Sequence, residues 1–357
     1  MMTNLLTMHA RGRLCIIVLL WSPGQCRGAR RRRSNNVQRT EQWPADRYAA
    51  GTEAACPPSC PTRDLRDARP AARGALTADQ HYAFHERGFL VLPGLFSAAE
   101  VDALSATIDT VWRGRHSGSA AARIVADWFV STPRETRGVL REAPDSATVH
   151  PLKLNDLYLD VPAVRGVALD ARLARVLGEL LDSRPVLINT LSMNYGTQQK
   201  YHFDTFYMPP PTTNKMVAAW VALDDVGPEN GPLRYVPGSH RIRPYRFSTG
   251  KLNVVKNEMR NFSAYIHAEL GKHKLQPAEF HAKKGDVLIW HAQLYHRGAR
   301  IRDELNRTRR SLVAHYFSTI DFPSDGAHVR RDDAGGLYYA RPRLDLRRQW
   351  RRRRRRR

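Results

Sequence analysis

The sequence predicts a mainly β domain, a sandwich or barrel with helices packed outside it. Three observations carry this. Six short β-rich runs fill the second half of the chain: 186–195, 201–207, 216–223, 233–236, 287–290 and 311–318. Gly, Pro and Asn turns such as Glu229-Asn-Gly231, Pro237-Gly238 and Lys284-Gly285 separate them. No helical period interrupts them except one insertion, and helices with explicit start signals precede them.

The elements follow in order. Thr77-Ala-Asp-Gln80 and Ser97-Ala-Ala-Glu100 both match the capping box, in which two side chains satisfy orphan amides of a first turn. Between the two helices so begun, Gly88-Phe-Leu-Val-Leu-Pro93 is an apolar run bounded by Gly and Pro, hence a short buried strand. The second helix places Val101, Leu104, Ile108 and Val111 on one face, as packing on a core requires. A further helix is expected around 163–181. The insertion Leu252–Leu275, with Met259, Phe262, Tyr265 and Ile266 among Lys and Arg, is expected as a helix or mobile loop, a lid with an apolar wall and a charged rim.

Composition bounds the rest. With 357 residues, 42% apolar and 25% charged, the chain can build a sizeable core, which excludes global disorder, collagen, a coiled coil and a disulfide miniprotein. The formal charge of +23 resembles a nucleic-acid binder until it is divided along the chain. Between Leu76 and Asp333 stand 33 Lys+Arg against 28 Asp+Glu, while the flanks hold the other 24 basic and 6 acidic residues. The basicity belongs to the ends, notably Arg30–Arg33 and Arg351–Arg357, so no specific nucleic-acid partner is expected. Such Arg tails can bind acidic surfaces non-specifically.

The domain boundaries expected are a basic disordered leader at 1–74, the folded domain at 75–333 and an Arg-rich disordered tail at 334–357. All four cysteines, Cys15, Cys26, Cys56 and Cys60, fall in the leader, which suits a reducing compartment and a cytoplasmic location. Arg11 and Arg13 precede the apolar run Leu14–Trp21, which is too short to span a bilayer, so no transmembrane segment is expected. A signal peptide, an Arg-rich transit peptide and an incidental translation start all fit that run, leaving secretory or organellar targeting as the alternative.

The chemistry sits in the strand region. In His202-Phe-Asp204, residues two apart on a strand share a face, so an imidazole nitrogen and a carboxylate oxygen can share one ion. His291 and His296, after the apolar strand Val287–Trp290, are both candidates for a third ligand. Two His and one carboxylate on one face of an octahedron leave three positions open, the arrangement of non-haem Fe(II) oxygenases. Downstream, Arg309 and Ser311 share a strand face, where a guanidinium and a hydroxyl can grip a carboxylate; Arg310 points the other way. His81 and His85, four apart on the first helix, lack a supporting carboxylate or Cys, and His240 in its turn suits a structural hydrogen bond. His315 shares the Arg309 face and can line the barrel behind the ligands.

From about Leu76 to Phe322 the chain resembles the phytanoyl-CoA dioxygenase family of Fe(II)- and 2-oxoglutarate-dependent oxygenases. The residues that carry the likeness are the Gly88–Phe96 entry, Tyr201-His-Phe-Asp204, Ala219–Asp225, Asn230-Gly-Pro-Leu233, Pro237-Gly-Ser-His240, Gly285–Trp290, His296 and Arg309. The resemblance implies a double-stranded β-helix, a jelly-roll barrel of the cupin kind. It implies His202, Asp204 and His296 as metal ligands, since His296-Arg-Gly298 fits the third-ligand position better than His291. It implies Arg309, with Arg310 as fallback, as the anchor of the distal 2-oxoglutarate carboxylate alongside Ser311, with Trp220 and Lys153 as further co-substrate contacts.

With Fe(II), 2-oxoglutarate and O2, the implied reaction is hydroxylation of an aliphatic C–H bond in a small-molecule or acyl substrate, releasing succinate and CO2. Asp204 favours hydroxylation over halogenation, because halogenating relatives have lost that carboxylate. Two rivals stand beside this reading: a catalytically silent member of the family, and a protein that acts through its arginine tail on nucleic acid or acidic surfaces.

Overall fold

A computed structural model describes residues 74–128, 136–145, 152–196, 198–302, 308–322 and 328–340. The four cysteines, the apolar run 14–21 and the arginine run 351–357 lie outside the described residues. No helix among those described is long and apolar enough to cross a membrane.

Helix α1 (Ala78–Arg87) starts with the capping box at Thr77 and Gln80 and stops at Gly88, whose φ of 80° is a left-handed cap. Strand β1 (Phe89–Leu92) is buried along its whole length. The second capping box, Ser97 with Glu100, starts α2 (Ala98–Arg113), which buries Val101, Leu104 and Ile108. Strands β2 (Val125–Trp128), β3 (Thr136–Val139) and β4 (Leu152–Asn155) follow.

The single helix expected at 163–181 is two: α3 (Pro162–Ala168) and α4 (Ala171–Leu181). The break comes from Asp170, whose carboxylate accepts from the Arg172 amide and caps the second helix. Nothing in Ala168-Leu-Asp-Ala-Arg172 carries the Gly or Pro that usually announces such a stop.

The sheet strands then come in turn: β5 (Pro185–Met193), β6 (Met216–Ala222), β7 (Leu233–Tyr235), β8 (Ala278–Phe280), β9 (Val287–His291), β10 (His296–Gly298) and β11 (Ser311–Ser318). A terminal hairpin of β12 (Val329–Arg331) and β13 (Leu337–Tyr339) ends the described chain, and because β13 also pairs with β5, order runs past 333 into the stretch expected as disordered tail. The large sheet runs β1-β9-β6-β11-β5-β4-β2-β3, and a small one runs β10-β7-β8. All pairings are antiparallel except β13 on β5. This is the mainly β architecture with flanking helices that the sequence predicts.

Alternation along the central strands splits the core in two. Leu312, Ala314 and Tyr316 of β11 join Val217, Ala219, Val287 and Ile289 against the helices. Val313 joins Trp220, Trp290, Leu288, Leu233 and Phe280 on the opposite, inner face. Between 252 and 275 the insertion forms α5 (Met259–Lys272), with Phe262 and Ile266 buried one turn apart. Its stripe packs on Phe203, Phe206, Phe247 and Tyr295, so of the two expected forms the insertion takes the helical one, with an aromatic core of its own.

The run 201–207 is not a strand. His202 makes one isolated bridge to His296, and the chain then turns through a 3-10 helix at Asp204–Phe206. The Phe206 and Tyr207 amides close on the Phe203 and Asp204 carbonyls, which ends any ladder. The same-face argument survives because Phe203 is still extended, at φ −106° and ψ 143°.

One titration consequence follows from the packing. His291 is buried, its Nδ1 accepts from the Gln293 amide, and its ring lies 5.4 Å from that of His240. Burial, then the nearby His240, pushes its pKa down to about 3. In the unfolded chain it protonates near pH 6.5, so the stability it confers is fully present above that pH and is lost as pH falls toward 3. Chemical denaturation of metal-free protein should show stability falling between about pH 6.5 and 5, before unfolded carboxylates titrate, and His291→Asn should make that fall shallower, with His202 and His240 supplying the rest.

Candidate metal centre

The centre begins with two backbone hydrogen bonds. The His202 amide donates to the His296 carbonyl at 3.0 Å and the His296 amide donates back at 3.1 Å. This brings the segment after β5 against the first residue of β10 and sets the two rings 4.4 Å apart. Asp204 follows two residues on, its amide donating to the Ala292 carbonyl at 3.1 Å.

Each imidazole is oriented from behind. His202 Nδ1 lies 2.8 Å from the Lys200 carbonyl oxygen and His296 Nδ1 lies 2.9 Å from that of Leu294. A carbonyl only accepts, so both rings donate from Nδ1, which turns Nε2 toward Asp204 as the nitrogen available to a metal. The two Nε2 atoms lie 3.8 and 3.6 Å from Asp204 Oδ1. One ligand atom from each of the three residues falls within 4.8 Å of the others.

The electrostatics suit a cation. Burial, then the nearby His296, pushes His202 down to about 3, so its imidazole is neutral. Burial alone would raise the Asp204 carboxyl, but His296 and His315 outweigh it and hold the group below the usual carboxylate range. The neutral His202 imidazole and the Asp204 carboxylate, gathered with the His296 imidazole in a buried site, form a donor set that fits a ferrous ion.

A second buried polar cluster lies against β10, where Arg309 Nη2 approaches Gly298. Arg309 is 2% exposed, yet its Nε and Nη1 have no hydrogen-bond partner among the described residues. The Ser311 hydroxyl and the Trp220 indole N–H are buried and unpartnered in the same way. Burial pushes the guanidinium down to about 10, the mark of a charge held without its counter-ion. Ser311 pairs across the sheet with Ala222 and Met193, and Trp220 pairs with Val313, which places both on the inner face. Orphaned donors at this depth are costly unless a carboxylate comes to them, so the cluster fits the distal end of 2-oxoglutarate.

Arg310 is spoken for elsewhere: it donates to Asp109 at 2.5 Å from the outer face. Lys153 pairs with Met193 and so stands in the same inner row as Ser311, with its ammonium 3.0 Å from Asp127. Arg307 lies outside the described residues.

Several further residues surround the centre, and of these His315 alone is a candidate from the sequence. Gly196, at φ 64°, lies against the Arg309 guanidinium where a Cβ would collide with it. Trp290 donates its indole N–H to Asp204 Oδ2 at 2.7 Å. His315 sets Nε2 3.7 Å from that same oxygen and is held through Nδ1 by Asn189 Oδ1 at 3.0 Å. Tyr207, 53% exposed, sets its ring 5.6 Å from that of His202 and marks the solvent side of the centre. Alternation along Val287–Trp290 puts Trp290 on the inner face, a signal that was available; Gly196 has none beyond being glycine in a turn.

Comparison with known proteins places the domain in a family and a fold. The phytanoyl-CoA dioxygenase family model matches residues 84–308. Phytanoyl-CoA dioxygenase domain-containing protein 1 of Danio rerio is 23% identical over 264 residues, covering 65% of this chain and 87% of the relative. Ectoine dioxygenase of Sphingopyxis alaskensis is 28% identical over 176 residues, 46% of this chain and 50% of that protein. Among solved structures, the non-haem α-ketoglutarate-dependent epimerase SnoN from nogalamycin biosynthesis superposes with a TM-score of 0.51 at 19% identity, over 74% of this chain and 98% of that one. EctD from S. alaskensis, solved with 2-oxoglutarate and 5-hydroxyectoine, gives 0.50 at 19%, over 72% and 82%. Both share the fold.

Gly196→Ala tests the anion site without altering the arginine. Hydrogen bonds to charged groups are worth ~1.5–3 kcal/mol, so displacing Arg309 should weaken 2-oxoglutarate binding by about 10-fold or more. Calorimetric titration should record that loss with Co(II) affinity unchanged.

Proposed function

We propose, from the premise that the chain belongs to the phytanoyl-CoA dioxygenase family, that it hydroxylates an aliphatic C–H bond of a small-molecule or acyl substrate with release of succinate and CO2. As a member of that family it is a 2-oxoglutarate-dependent non-haem iron dioxygenase, with Fe(II), 2-oxoglutarate and O2 as its cofactor, co-substrate and oxidant. The observation that carries the reading is the pairing of a buried two-His, one-carboxylate cluster with a buried guanidinium that has two unpartnered nitrogens.

In this reading His202, Asp204 and His296 hold the iron. Three protein ligands leave room for a bidentate co-substrate and one further molecule. Arg309 and Ser311 grip the far carboxylate, which aligns the 2-oxo acid end with the metal. The Trp220 indole N–H adds a donor from the neighbouring strand, and Lys153, tied to Asp127, borders the same row. Bound iron and 2-oxoglutarate supply the oxidising power that no side chain has.

The protein supplies orientation and dryness. Both imidazoles are fixed by carbonyls behind them, and Phe203, Phe206 and Tyr295 seal the centre on the α5 side. Retention of Asp204 favours hydroxyl transfer, because a carboxylate fills the position that a halide would need. Substrate approaches from the side of Tyr207, whose exposed ring lies beside that of His202.

Anaerobic titration with Fe(II) and then 2-oxoglutarate tests the assignment. Wild type should develop the weak visible metal-to-ligand band. His202→Ala should lose iron, with affinity down by about 100-fold or more, and Arg309→Ala should keep iron but bind 2-oxoglutarate far more weakly. Equal behaviour of all three proteins, and no succinate from any substrate panel, would overturn the proposal.

A further inference from the structure

The two oxygens of Asp204 stand in different surroundings. Oδ1 is the one that faces both imidazole Nε2 atoms, at 3.8 and 3.6 Å. Oδ2 is turned into the sheet, where Trp290 Nε1 donates to it at 2.7 Å and His315 Nε2 lies 3.7 Å away.

Register explains how both groups reach one oxygen. Trp290 of β9 pairs with Ala218 of β6, Ala218 pairs with His315 of β11, and His315 pairs with Asn189 of β5. These four residues form one row across the inner face. Ala218 is its only small member, so the row has a notch at its centre between an indole and an imidazole. The carboxylate of Asp204 enters that notch with one oxygen. The far side of the row is braced: Asn189 Nδ2 donates to Asp156 Oδ1 at 2.8 Å, and the Asp156 amide donates to the Thr190 carbonyl at 2.7 Å.

We propose that Trp290 is a positioning residue that makes Asp204 a one-oxygen ligand. By occupying Oδ2 it leaves only Oδ1 for the metal, and so keeps free a coordination position that a chelating carboxylate would close. His315, braced by Asn189, walls the other side of the notch so that Oδ2 cannot swing out. The inference rests on the ligand assignment above and adds a residue that touches neither metal nor co-substrate.

The test uses Co(II) binding to purified full-length protein, followed by its visible bands, whose intensity depends on coordination number. Trp290→Phe keeps an aromatic ring and removes the N–H. It should bind Co(II) about 10- to 100-fold more weakly, the usual cost of losing an outer-shell partner, with an altered band pattern. In an Asp204→Ala background the same change should cost nothing further, because its effect runs through that carboxylate. Wild-type affinity and bands in Trp290→Phe, or an equal loss in both backgrounds, would overturn the proposal.

Asp204→Asn provides the test if Trp290→Phe does not fold. The indole N–H can pair only with the amide oxygen, which turns the NH2 toward the metal, so this variant should bind Co(II) no better than Asp204→Ala. Affinity clearly above that of Asp204→Ala would overturn the inference. Wild-type Co(II) binding by Asp204→Ala and by His296→Ala would instead remove the ligand assignment beneath it.

Discussion

The reciprocal pair of main-chain hydrogen bonds between His202 and His296 is the constraint from which the rest of the centre follows. It joins two segments almost a hundred residues apart, one leaving the long β5 strand and one entering the small sheet. Because the bonds are backbone to backbone, they fix the spacing of the two rings before any ion is considered. The 3-10 turn that starts at Asp204 then brings the carboxylate round to face both rings, while Phe203, between the two ligands, goes the other way into the aromatic cluster under α5. Polar centre and apolar buttress are thus built by three consecutive residues.

The inner face of the large sheet accommodates a polar site because of its size pattern. Ala218 and Ala222 alternate with Trp220 along β6, all almost fully buried. The tryptophans supply walls and the alanines supply room. On the reverse face, larger aliphatic residues pack against α2, α3 and α4, and the cohesion of the domain comes from there. Separating the two jobs by strand parity lets buried donors such as those of Arg309 exist without weakening the apolar core.

Much of this was legible in the sequence, for definable reasons. Ser97 with Glu100 and Thr77 with Gln80 are local signals, and local signals transfer directly to structure. β11 at Ser311–Ser318 coincides with its apolar, β-branched run because both faces are buried. The run 201–207 has a β-rich composition but no ladder, because only His202 finds a partner alongside. Strands β2, β3 and β4 escaped notice because their partners, not their own sequences, make them strands; Thr136-Arg-Gly-Val139 has little apolar character. The site residues His202, Asp204, His296, Arg309 and Ser311 could be named because motif order encodes their approach. Trp290, Asn189 and Gly196 act through register and clearance, which no single stretch of sequence displays.

The guanidinium of Arg309 has a consequence beyond recognition. A positive charge kept deep in the sheet, with no neighbouring carboxylate among the described residues, raises the free energy of the folded state relative to the unfolded one. A dicarboxylate that neutralises it binds only the folded form and restores that deficit by mass action. Filling the site would therefore also harden the folded chain against unfolding and cleavage.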